Sequence, residues 1–295
     1  MTVNDSDLNP LIDLITLRTG IIPRESHREG IRSYLERKID EMRLPSVHAY
    51  LSLLRSDKGI LEELINESTV NETYFFREEK QFQFVRSKLF PWWQAKFGSQ
   101  PIKIWSAACS YGEEAYSLAL LAKSCRMRAH ITASDINTAV LSHCASGVFN
   151  ASSMRCGDGV SFQDLLLPFR ASNAKIVFSD EIRSYITTRQ INLSEIDSPA
   201  TEMILPRNQN IVFLRNVFIY FGQELRARIL RTIADAPIFF VDEPTRVKEQ
   251  ADAVELEFRE SMQKRAEKGY ILPGQMDILY SGERTAAGLQ QGKVV

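Results

Sequence analysis

Four short stretches carry residue types suited to holding a ligand. NETYFFREEKQF, residues 71–82, sets Asn71, Thr73 and Arg77 around three consecutive aromatics. The aromatics can plug a core, and Asn71 or Thr73 can cap the helix that follows. IWSAACSYGEEAYSLA, residues 104–119, reads as strand, turn and helix. Its small residues Ser106, Ala107, Ala108, Ser110 and Gly112 let a ligand approach the backbone, and the helix start offers free amides. Glu113 and Glu114 fall in the first helical turn, where an acid complements the helix dipole. An acid there also suits a ligand with a positive amine. One glycine makes neither the dinucleotide G-x-G-x-x-G fingerprint nor a Walker loop, which disfavours a nicotinamide dehydrogenase. Asp135 ends the next strand, 23 residues past Gly112; an acid at that place in nucleotide-binding α/β units takes ribose hydroxyls. NIVFLRNVFIYF, residues 210–221, puts Arg215, Asn216 and Tyr220 at and beyond the end of another strand. A buried arginine there needs a partner, because an unpaired buried charge is costly.

These stretches need a scaffold. Strand-like runs at 102–107, 131–134, 184–193, 210–214 and 237–241 alternate with helical ones at 113–123, 138–146 and 223–234. Such alternation predicts a parallel α/β sheet with its ligand at the carboxyl ends of the strands. Residues 148–190 interrupt it, and 175–178 with 185–191 predict an inserted antiparallel hairpin. Phe82, Val85 and Leu89 predict an amphipathic helix stopped by Pro91. Residues 1–65 read as all helix, with Ile31, Leu35, Ile39 and Met42 as one apolar stripe. Asn66–Thr69 reads as a linker. Arg24, Arg28 and Arg32 recur at i+4 on the same helix, either as a solvated face or as a docking strip for an acidic partner helix. A charged helix is expected at 248–268 and a disordered tail from Arg284.

The 295 residues suit two domains. A composition of 44% hydrophobic and 25% charged residues is that of a globular chain, and a net charge of −1 gives no bulk attraction to nucleic acid or anionic membrane. The acidic, mixed N-terminus is not a signal peptide, and no apolar run is long enough to span a bilayer. The four cysteines and four histidines are scattered, without metal-ligand spacing. These features predict a cytoplasmic, metal-free protein, with a monomer as the simplest oligomeric state.

NETYFFR (71–77), IWSAACSYGEEAYSLA (104–119), ASDINTAVLSHCASGVF (133–149), INL (191–193) and LRNVFIYF (214–221) together resemble the CheR family of chemotaxis receptor methyltransferases, in order and in spacing. The resemblance covers roughly residues 70–240. It implies a Rossmann-like class I methyltransferase core that uses S-adenosylmethionine and releases S-adenosylhomocysteine. Its implied frame is an N-terminal helical domain at 1–68, a methyltransferase domain at 69–280 with a small β-subdomain inserted at 148–190, and a tail at 281–295. The implied acceptors are glutamates on the cytoplasmic helical domain of a chemoreceptor. By the same resemblance Asn71, Thr73, Arg77, Glu114, Asp135, Asn192, Leu193, Arg215 and Asn216 hold the cofactor, and Arg77 and Tyr220 face the acceptor. Glu114 takes the methionine amine and Asp135 the ribose, while Arg24, Arg28 and Arg32 meet the acidic receptor bundle. Two other readings use the same motifs: a cofactor-binding signalling module without turnover, and a methyltransferase for another acceptor. The chain departs from the family pattern at Tyr111, which would narrow the pocket, at Ala115, at Gln209-Asn210, and through 235–247.

Overall fold

The computed structural model describes residues 2–155, 157–233 and 238–241. The expected helix at 248–268 and the tail from Arg284 lie outside the described residues. Five parallel strands, β1 (Ile102–Ala107), β2 (Ala129–Asp135), β5 (Ile186–Gln190), β6 (Ile211–Leu214) and β7 (Ile238–Val241), form one sheet in the order β5-β2-β1-β6-β7. The chain runs outward from β1 through β2 to β5 and then returns to β6 on the other side of β1. That reversal opens a crevice between the carboxyl ends of β1 and β6, where ligands bind in open parallel sheets. Ile104, Trp105 and Ala107 of β1, with all four residues of β6, are buried. Fully covered strands of this kind read as continuous apolar runs.

Four helices precede the sheet: α1 (Asp5–Thr19), α2 (Glu25–Glu41), α3 (Val47–Ser56) and α4 (Lys58–Glu67). They bury an apolar cluster of their own, from Val3 to Leu64, including the predicted Ile31, Leu35 and Ile39. Asn66–Thr69 is no slack linker. Asn66 Nδ2 donates to Thr138 Oγ1 at 3.0 Å, and Asn137 Nδ2 donates to Asn66 O and Thr69 Oγ1 at 2.9 and 2.7 Å, clasping the segment to the start of α8 (Thr138–Ser146).

Two expectations fail for physical reasons. Pro91 does not stop its helix: α5 (Glu79–Phe84) passes through a π turn at Val85–Leu89 into α6 (Phe90–Phe97), with Pro91 in its first turn. The π turn shifts the hydrogen-bond ladder just where proline lacks a donor. The expected hairpin is also replaced. β4 (Lys175–Val177) pairs antiparallel with β3 (Val148–Asn150), while 186–190 is the edge strand of the main sheet, parallel to β2. The short helix α10 (Asp180–Arg183) follows the equally short α9 (Gln163–Leu166) and β4, and it turns the chain back towards β2. Beyond β5 lie α11 (Pro199–Ile204) and α12 (Gln223–Ile233). Among the described residues no helix is long and apolar enough to cross a membrane.

Gly112 fixes the entry to α7 (Glu113–Ser124). It sits at φ +104°, and an added Cβ would lie 2.9 Å from Cys144 Cβ and closer still to its Sγ. Gly112→Ala is therefore expected to destabilise the fold by about 2–4 kcal/mol, through strain and overpacking together. Gly30, inside α2 with nothing near its Cβ position, is the control. Gly30→Ala should be neutral or stabilising by up to about 1 kcal/mol in the same urea titration.

Candidate active site

The β1–β6 crevice opens into a cleft lined by residues from the aromatic segment, the β1–α7 turn and the ends of β2 and β6. Asn71, Thr73, Arg77, Glu114, Asp135, Asn192, Leu193, Arg215, Asn216 and Tyr220 all border it. Arg24, Arg28 and Arg32 do not. Arg28 Nη2 donates to Asn9 Oδ1 at 2.7 Å, and Arg32 bonds Asp5 Oδ1 and Val3 O, both at 2.6 Å, so two of the three arginines fasten the chain's own first residues.

The floor is built around Arg215, whose side chain is 3% exposed. Its Nη1 lies 3.0 Å from Glu114 Oε2, and its Nη2 lies 3.2 Å from Glu78 Oε2 and donates to Arg77 O at 2.6 Å. The guanidinium also stands over the Phe82 ring, 5.4 Å from its centroid. Ser106 Oγ donates to Glu114 Oε1 at 2.6 Å, and Asn216 Nδ2 donates to Glu78 Oε1 at 3.0 Å. Burial pushes the Glu114 carboxyl above the ordinary range, outweighing the downward pull of Arg215 and Ser106. Asp135 accepts the amides of Ser110 and Asn137 at 2.9 and 3.0 Å, yet burial raises its pKa too. Buried Asp135 and the partly buried Glu114, both lining the cleft, make a site that favours a ligand with positive charge and hydroxyl donors.

The aromatic knot divides its tasks. Phe75 packs edge-on against Phe149 and Phe178, and Phe76 stacks on Phe162 with ring centroids 4.6 Å apart. These two rings plug the core against the inserted segment, and only Tyr74 and Phe82 of the knot border the cleft. Neither Asn71 nor Thr73 caps α5; the residue before the helix is Glu78, at φ +61°. The cap comes from Asp158, in the inserted segment. It accepts the Glu78 amide at 2.6 Å, the Glu79 amide at 3.0 Å and the Tyr74 hydroxyl at 3.0 Å. Arg77 Nη1 donates to Glu72 O at 2.7 Å, and its guanidinium stands 5.6 Å from the Tyr74 centroid. Asn192 accepts from the Ser194 amide at 3.0 Å and donates to Arg18 O at 2.8 Å, so its side chain also ties the cleft wall to the end of α1.

Sequence reasoning missed Glu78, Asp158 and the wall formed by Thr19 and Ile21 between α1 and α2. Glu78 carried a signal, since a buried Arg215 requires more acid than Glu114 alone. Asp158 carried none, because its partners Tyr74, Glu78 and Glu79 are some 80 residues away. Tyr111 does not narrow the cleft. It faces outward against His143, with ring centroids 5.0 Å apart.

Hydrogen bonds to Asp158 hold its carboxyl below the ordinary range although burial pushes the other way. The sign follows: a depressed acid stabilises the fold above its unfolded pKa, and that contribution is lost as pH falls through the folded one. Asp158→Ala is thus expected to cost about 1–2 kcal/mol at neutral pH. Parallel urea titrations at falling pH should show that difference shrinking below the ordinary value of 3.8.

The family model described as "CheR methyltransferase, SAM binding domain" matches residues 71–237. Chemotaxis protein methyltransferase 2 of Pseudomonas aeruginosa is 34% identical over 218 residues, 72% of this chain and 75% of that protein. The chemotaxis protein methyltransferase of Vibrio parahaemolyticus is 28% identical over 80% of this chain and 86% of its own length. That of Escherichia coli is 29% identical over 78% and 79%. A solved magnesium protoporphyrin IX methyltransferase from Synechocystis is 15% identical over 80% of this chain and 86% of that one, at a TM-score of 0.33, too slight a likeness to argue from. The cleft suits the named cofactor on chemistry alone: acids able to take an ammonium and ribose hydroxyls, beside a strand-to-helix turn of small residues. The matched residues span every cleft-bordering motif from Asn71 to Tyr220, and the chain belongs to the CheR family of S-adenosylmethionine-dependent methyltransferases, whose relatives act in chemotaxis.

Proposed function

We propose that this chain transfers the methyl group of S-adenosylmethionine to glutamate side chains on the cytoplasmic helical domain of a chemoreceptor, giving glutamyl methyl esters. The observation that carries the reading is the mixed charge of one cleft, whose lining includes the acids Glu114 and Asp135 together with Arg77 and Tyr220. The acids suit a cationic cofactor, and Arg77 with Tyr220 suits an anionic acceptor.

The cofactor, when bound, supplies a sulfonium methyl group as the electrophile. A free glutamate has a pKa of about 4.3, so the acceptor arrives already ionised, and the chain needs no strong base. Its task is to hold the carboxylate in line and partly dry. Arg77 commits one N–H to Glu72 O; its remaining donors can orient an incoming carboxylate by charge-assisted hydrogen bonds. Tyr220 can steady the second oxygen. Glu114 takes the amine and Asp135 the ribose, with Asn71, Thr73, Asn192, Leu193 and Asn216 completing the pocket. Arg24, exposed at the start of α2, is the member of the basic strip left to meet an acidic helix.

Methyl-labelled cofactor and a chemoreceptor cytoplasmic fragment should give label on the receptor that alkali releases. Alkali-stable label would instead indicate an N-methyl acceptor, and bound cofactor without label a signalling module. Arg77→Ala is expected to cut transfer at least ten-fold with its melting temperature unchanged; a near wild-type rate would remove Arg77 from the reaction. Cofactor affinity should also fall on acidification. Ligand cations favour ionised Glu114, so binding is strongest above the pKa of the free protein and weakens as pH drops through it. Because burial raises that pKa, the decline in a calorimetric series should begin nearer neutrality than the ordinary value of 4.5.

A further inference from the structure

Thr69 follows the helical front end and, like Asn71, borders the cleft. Its hydroxyl is saturated. Oγ1 donates to Asn66 O at 2.9 Å, and it accepts from Asn137 Nδ2 at 2.7 Å and from Asn71 Nδ2 at 2.8 Å. One hydrogen and two lone pairs are all that a threonine side chain has to give. Asn137 is buried and committed as fully. Its Oδ1 caps α8 by accepting the Ala139 and Val140 amides at 2.9 and 3.1 Å, and its own amide donates to Asp135 Oδ1 at 3.0 Å. The cap needs only that oxygen. The Nδ2 bonds to Thr69 and to Asn66 O reach back to the front end and add nothing to the helix.

The direction of these bonds gives them a use. Because the Thr69 hydrogen goes to Asn66 O, Oγ1 can only accept from Asn71. The Asn71 amide must therefore turn its nitrogen to Thr69, whose carbonyl lies 3.4 Å from the same Nδ2. A flipped amide would set its oxygen against that carbonyl, and could engage Oγ1 only by taking the hydrogen from Asn66 O. Oδ1 is the atom left to meet a ligand. We propose that Thr69 is a positioning residue of the cofactor site: held by Asn137, it acts through Asn71 and fixes that amide with its oxygen free for a donor on the ligand. Since Asn137 also bonds Asp135, one buried residue sets both side chains in register. The inference rests on the reading of Asn71 as a cofactor contact given above.

The test is a double-mutant cycle on the full chain, read by calorimetry with S-adenosylhomocysteine. Thr69→Val keeps the shape, removes the hydroxyl and should bind about five- to ten-fold more weakly. Thr69→Ser keeps the hydroxyl and should bind within about two-fold of wild type. Adding Thr69→Val to Asn71→Ala should cost nothing beyond Asn71→Ala alone, because the hydroxyl acts through that amide. Additive losses overturn the proposal, since a direct contact between Thr69 and the ligand would add. So does wild-type affinity in Thr69→Val, or a Thr69→Ser variant as weak as Thr69→Val, which would make the lost contact one of packing. Asn71→Ala alone separates the failures. Weak binding there with normal binding by Thr69→Val sinks this proposal and leaves the cofactor reading standing. Normal binding by Asn71→Ala removes Asn71 from the cofactor and takes both down.

Discussion

A guanidinium with 3% of its surface exposed cannot stand alone. Arg215 draws its partners from two distant parts of the chain: Glu114 at the start of α7, and the adjacent Arg77 and Glu78 ahead of α5, the one through its carbonyl and the other through its carboxylate. Each of those parts is a side of the cleft. Once the charge is buried, the strand end, the first turn of α7 and the aromatic segment must lie within hydrogen-bond reach of one another. The same charge compensates Glu114 only in part, since burial still raises the pKa of that acid. The site therefore keeps negative character for a cationic ligand while its structure is held by a positive one.

The inserted segment, which the small antiparallel pair limits to residues 148–178, belongs to this arrangement through Asp158. Tyr74, Glu78 and Glu79 all donate to its carboxylate, and Phe149, Phe162 and Phe178 receive the rings of Phe75 and Phe76. Polar and apolar contacts thus point the same way. Five of the nine non-glycine residues with positive φ among the described residues, Phe76, Glu78, Ala108, Ser110 and Asn216, stand on the loops that meet at the cleft. Strain of this kind persists only where surrounding contacts over-determine the backbone, and Arg215 and Asp158 supply those contacts.

Much of this was legible in the residues. Alternating apolar runs announced the parallel sheet, because each buried strand leaves a contiguous signal. Asp135, Glu114, Arg215 and Asn216 stood out because acids, arginines and amides at strand ends are poor packing material. What stayed hidden was long-range. Nothing local marks Lys175–Val177 as the partner of Val148–Asn150 rather than of Tyr185–Ile191, since short strands of similar composition pair equally well on paper. The cap on Glu78 comes from a residue 80 positions away. The internal ties of the basic strip were hidden too, because a regular i+4 spacing says nothing of whether acids elsewhere, such as Asp5, will meet it.

The wall between α1 and α2 has one further consequence. Ile21 bridges to Phe221, and the Ile22 amide donates to Tyr220 O at 2.9 Å, so the cleft closes across some two hundred residues of chain. During synthesis the helical front end emerges first and can bury its own apolar cluster early. The cleft has no complete rim until the ribosome has delivered β6 and the turn beyond it. A nascent chain is thus blind to its cofactor until then, and ligand can stabilise only a molecule in which the segment after α1 has already met the turn after β6.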